Sequence, residues 1–241
     1  MLRIRESEID HELARGSESP EEGATQGKPE PVGRLLRNRT LLVFLVSCAL
    51  FHLGNAAMLP LVGQVLAEAR PQIATLCISV CIILAQLIMI AVAAAVGRAM
   101  RAGYGRKTIF LLGFAVLPVR GLLYTFSHNA LWLVGVQALD GIGAGIFGVI
   151  AVVIAADLTR GTGRFNLAQG MVALCAGLGA GLSNLFDGFI VERFGDNAGF
   201  LFLAACALCA LTFFALLMPE TQPANHAAEA TARNHAPDVA A

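Results

Sequence analysis

From residue 41 onward the chain alternates long apolar runs with short polar turns. Six runs stand out, at about 41–66, 73–96, 108–127, 130–156, 166–191 and 198–218. About 20 apolar residues of helix cross a hydrocarbon core ~30 Å thick, and each run meets that length. Backbone polar groups in lipid must bond within their own segment, so the runs are predicted to be helices. The fold class is therefore all-α integral membrane, with six transmembrane helices. The links are short: Arg70 with Pro71, Gly97 to Lys107, Ser127 to Asn129, Asp157 to Phe165, and Glu192 to Asn197. Such links make consecutive helices antiparallel, which predicts an up-down hairpin bundle over residues 41–218.

Residues 1–40 are polar, with Pro20, Pro29, Pro31 and mixed charges, and read as a flexible cytoplasmic linker. A short helix is expected around Glu6 to Ala14. Met1 opens onto charges and not onto an apolar stretch, so no signal peptide is expected. The Ala-, Pro- and His-rich residues 219–241 read as a disordered cytoplasmic tail. Loop charge sets the orientation. One side collects Arg34, Arg37, Arg39, Arg98, Arg101, Arg106, Lys107, Arg160 and Arg164, and the other has only Arg70 and Arg193. Lys and Arg accumulate on the cytoplasmic side, so both termini are expected there.

Composition agrees with a membrane chain. Hydrophobic residues make up 56% and charged residues 14%, and mean hydropathy is +0.69, which excludes an ordinary soluble domain. A formal net charge of zero gives no reason to expect a nucleic-acid partner. The six cysteines, Cys48, Cys77, Cys81, Cys175, Cys206 and Cys209, all fall in apolar runs. Cys206 and Cys209 have the spacing of a metal or redox pair, but apolar surroundings leave a thiol inert, so no metal or cofactor is expected.

Small residues recur at helical spacing inside two runs. Gly141 and Gly145 do so in the fourth, and Gly170, Ala173, Gly177, Gly181, Asn184 and Gly188 share one face of the fifth. Glycine weakens a soluble helix but lets two helices approach closely in lipid. The fourth and fifth spans are therefore expected to pack on each other, with Gly141, Gly145, Gly177 and Gly181 in the seam.

Charge within the runs marks candidate chemistry. Arg120 lies roughly 20 Å in from the basic side, and Asp140 roughly 16 Å in from the opposite side, at 1.5 Å per residue. An ionised group facing lipid there would cost at least ~2.5–3.5 kcal/mol, so both are expected to turn inward as a pair. That pair reads either as part of a substrate or proton pathway or as a lock between two helices. His52 and Asn55 share a face of the first span, and Pro60 should loosen that helix. Such a face suits a cavity wall, and the plainer reading is an interhelical hydrogen bond. Gln86, Gln137, Asn184 and Asp187 are weaker candidates of the same kind, Asp187 standing near a span end. No histidine, carboxylate and nucleophile constellation with ligand or triad spacing is present, so the chain is not expected to be an enzyme.

GRAMRAGYGRK, residues 97–107, resembles the basic, Gly-rich inter-helix signature of the major facilitator superfamily, in the form found in the second half of those transporters. LDGIGAGIFGV with ADLTRGTGRFNLAQG resembles the tenth and eleventh helices of its bacterial efflux-type permeases. FHLGNAAMLPLVGQ resembles their seventh helix, and RESEIDHELARG their central cytoplasmic linker. The signature's usual acid is missing, because Arg101, Ala102 and Gly103 occupy its place. The resemblance implies a half bundle of that superfamily in the cell inner membrane, acting in proton-coupled efflux of an unknown small molecule. It also implies a gating loop of Gly97, Gly105, Arg106 and Lys107, to which Asp157, Arg160 and Arg164 of the next such turn add candidate ties. A single bundle needs a partner, either a second six-helix half or a second copy. The alternatives are a non-transporting membrane interaction protein and an inactive truncated transporter.

Overall fold

The computed structural model describes residues 31–35 and 37–222, and the expected linker helix at Glu6 to Ala14 and residues 223–241 lie outside the described residues. Eight helices are seen among the described residues: α1 (Val32–Leu35), α2 (Arg39–Asn55), α3 (Met58–Ala69), α4 (Pro71–Arg101), α5 (Arg106–Tyr124), α6 (Ala130–Thr159), α7 (Phe165–Phe194) and α8 (Asp196–Leu217). With α2 and α3 taken as one interrupted span, Arg39–Ala69, six helices are long and apolar enough to cross a membrane.

Local chemistry fixes the boundaries. The Asn38 side chain accepts from the backbone N–H groups of Thr40 and Leu41, at 3.0 and 3.2 Å, and so caps α2. Asn129 caps α6 through the Leu131 N–H at 2.9 Å. Pro71 opens α4, where a missing N–H costs nothing. Gly195, at φ 83°, makes the sharp joint between α7 and α8, a conformation most side chains would strain.

The helices pack in the order α4, α6, α5, α8, α2 and α7, with α3 lying against α4 and α8. Consecutive spans are therefore not always packing neighbours. Short loops hold only the ends of α4 and α5 together, and α6 packs along both of them. The glycine expectation is corrected. Gly141 and Gly145 do sit in a seam, but against Ala85, Ile88 and Val92 of α4. Gly170, Gly177, Gly181 and Gly188 meet nothing, because they stand on the face of α7 opposite its buried residues. The close approach of α7 is made at Gly179, whose missing Cβ leaves room for the Ala49 carbonyl of α2. Gly54 does the same for α2 against Ala207 of α8.

Two apolar cores result. Toward the basic loops, Phe44, Phe51, Phe110, Phe114, Phe147 and Phe214 interlock, with Phe114 and Phe214 stacked at 4.8 Å and Phe51 edge-on to Phe114 at 5.1 Å. Toward the opposite end, Met58, Leu61, Tyr124, Leu133, Val136 and Phe200 form the second. The outer faces of α4 and α7 stay apolar and open, at Leu76, Leu87, Ile90, Leu178, Leu185 and Phe189.

Candidate functional site

Between the two cores lies a polar layer drawn from the first, third and fourth spans. The Arg120 guanidinium, 1% exposed, forms an ion pair with Asp140, whose side chain is 22% exposed. Its other terminal nitrogen donates to the Asn55 side-chain oxygen at 2.7 Å and lies 3.4 Å from the Asn55 carbonyl. Its Nε donates to the Met58 sulfur at 3.1 Å. One helical turn on, the buried Tyr124 hydroxyl bonds the Gln137 carbonyl oxygen, which leaves the Gln137 amide nitrogen without a partner among the described residues. Arg120 and Tyr124 are four apart on α5, and Gln137 and Asp140 three apart on α6, so each pair projects from one face. The layer thus joins α5 to α6 twice and to both sides of the break in the first span, at Asn55 and Met58.

That break follows from the sequence. Pro60 has no N–H to bond the carbonyl four residues back, at Ala56, and α2 ends at Asn55. Interrupted backbone in lipid needs outside partners. The Ser183 hydroxyl of α7 accepts the Ala57 N–H at 3.1 Å, and Arg120 lies beside the Asn55 carbonyl. A loosened turn therefore sits beside the intramembrane charges.

The other candidates lie apart. His52 is on the same segment, but its Nδ1 contacts the Cys48 carbonyl at 3.0 Å and its ring packs on Phe51 and Phe147. Gln86 is exposed on α4. Asn184 is exposed on α7 and bonds the Ala180 carbonyl of its own helix at 2.9 Å. All six cysteines are free, and no group of three or more metal-ligating side chains occurs among the described residues.

At the basic end, charge is organised around the start of α5. Arg106 pairs with Asp157 of α6 at 3.3 Å, and Asp157 also meets Arg160 at 3.7 Å. Glu220, just beyond α8, accepts from the backbone N–H groups of Arg106 and Lys107 at 2.9 and 3.1 Å. A Cβ at Gly105 would collide with that carboxylate. Thr221 reaches Asp157 at 3.5 Å. Gly97 lies in the last turns of α4 beside Arg101, and the Arg164 N–H donates to Thr162 at 3.2 Å. The acids beside the start of α5 are thus Asp157 and Glu220, both distant in sequence from Arg101 to Gly103. Sequence reading placed Glu220 in the tail expected from residue 219, and it instead caps a helix more than a hundred residues earlier. The available signal was a lone acid directly after an apolar span, beside a helix start without an acid of its own. Met58 and Ser183 were also missed, since neither residue type announces a contact between distant spans.

Six apolar helices around an inward-turned charge layer define a polytopic membrane protein. The Major Facilitator Superfamily profile matches residues 45–240, and the chain belongs to that family. Two curated relatives from Mycobacterium tuberculosis, the uncharacterised MFS-type transporters Rv2456c of strain H37Rv and MT2531 of strain CDC 1551, are each 47% identical over 220 residues. That alignment covers 91% of this chain and 52% of each relative, so the chain spans about half the length of the relatives it matches.

Proposed function

We propose that the chain works as the C-terminal six-helix half of a proton-coupled, efflux-type secondary transporter of the inner membrane, with both its ends in the cytoplasm. The observation that carries this reading is the Arg120–Asp140–Asn55 cluster, buried between two apolar cores with Asp140 still partly open. Charges are costly at that depth, and a lock alone does not need a carboxylate that reaches an open face. In alternating access one bundle rocks against another around a site near the midplane. Here Asp140 and Asn55 would face substrate or proton, Arg120 would hold both in place, and the interrupted turn at residues 56–57 would bend. The Asp157 and Glu220 ties at the start of α5 would hold the cytoplasmic end together. Substrate and driving ion are proposed only as classes, a small molecule and a proton. The partner is a second six-helix half.

One observation favours a second reading. The exposed glycine stripe of α7 suits close packing by another helix, as in a non-transporting interaction protein. Photo-cross-linking separates the two. A reactive residue replacing His52 should capture the second bundle if the polar face closes a pathway. Capture from position 181 alone, with none from position 52, would favour the interaction protein and defeat the transporter reading.

A further inference from the structure

Asp187 is a buried carboxyl that the polar layer does not use. It lies on α7, 4% exposed, and its Oδ1 has no hydrogen-bond partner among the described residues. It follows Ser183 by one helical turn, so both point into the junction of α7 with α3 and α8. Gly199 of α8 makes room for it, since a Cβ there would stand 2.9 Å from Oδ1 and 3.0 Å from Leu61 of α3. A side chain at 199 would displace the carboxyl, and a water-filled site would not need so bare a wall.

The charged and titratable groups around this junction offer no counter-ion. From α8 come the acid Asp196 and the thiol Cys206, neither of which can act as a cation. The only ionisable side chain of α3 is Glu68, another acid, exposed and bonded by Gln64 at 3.2 Å. On α7 itself Glu192 is exposed, and the Arg193 guanidinium lies over the Phe189 ring at 5.1 Å. Across the loop, His128 bonds Asn197 at 3.1 Å. An ionised carboxylate buried without a cation or donor is heavily penalised, whereas a neutral carboxyl is tolerated.

We infer that Asp187 is a proton-binding site, taking a proton from the aqueous phase at the non-basic end of the bundle and holding it as a neutral carboxyl. Proton release would leave a lone negative charge pressed between α3, α7 and α8. The relief available is movement of α3, which hangs from the interrupted turn at residues 56–57 that Ser183 caps. Ser183 and Asp187 would then act on one segment from one helix face. What the proton does for transport rests on the function proposed above, whereas its presence does not.

Infrared difference spectroscopy of the full chain in lipid tests this without any flux. The wild type should show a carbonyl-stretch band of a protonated carboxylic acid near neutral pH, shifted in heavy water. Asp187→Asn, which keeps shape and neutrality, should abolish that band, whereas Asp196→Asn should leave it. Absence of the band in the wild type, a result that needs no variant to fold, overturns the inference. So does a band that survives Asp187→Asn. A band lost in Asp187→Asn, with proton-independent transport by the assembled protein, would keep the proton site and discard the coupling role.

Discussion

Arg120 cannot shed its charge, whereas a carboxylate deprived of its partner can take up a proton. The two halves of the central pair are therefore unequal. Asp140→Leu strands an obligate cation and should cost about 3 kcal/mol or more of unfolding free energy. Arg120→Met, which keeps the length of the side chain, should cost about 1–2 kcal/mol. The double variant should cost less than the sum, and reversible unfolding in mixed micelles reads all three. Glu220→Ala should lose about 1–2 kcal/mol in the same assay, because two N–H groups at the start of α5 lose their acceptor. Glu220→Gln should recover part of that loss. Legibility differed between these residues for a physical reason. Arg120 and Asp140 were readable because charge in an apolar run has few places to go. Glu220 was not, because its partners are backbone groups that carry no residue signature.

Helix positions were legible from the apolar runs, but the faces they present to one another were not. The small-residue spacing of α7 is the instructive case. Periodicity located a stripe but could not say whether this chain or another covers it, and Gly179, off the stripe, makes the contact. The two kinds of glycine should respond with opposite signs. Gly179→Ala drives a methyl group into the Ala49 carbonyl and should destabilise the bundle by about 1–3 kcal/mol. Gly181→Ala meets open space and should stabilise the lone bundle by up to about 1 kcal/mol through helix propensity. Unfolding free energies measured side by side check both signs. Pro60 was legible as a weak point because a missing N–H is local information, but its relief by Ser183, 126 residues from Ala57, is not.

At the scale of the molecule, the six helices leave α4 and α7 open along apolar faces, with Gln86 and Asn184 standing on them. Those two polar residues have no place in the buried layer, and a second bundle would give them one. A lone bundle with one unclosed wall cannot alternate access between two sides of a membrane. The chain alone should therefore insert and stay folded in lipid without carrying substrate across it. The most direct measurement is flux of a panel of small molecules into proteoliposomes under a proton gradient. One set would hold the chain alone, and the other the chain with the stretch of its mycobacterial relative that it does not cover. Gradient-driven flux only when both are present is the predicted result, and robust flux from the chain by itself would contradict it.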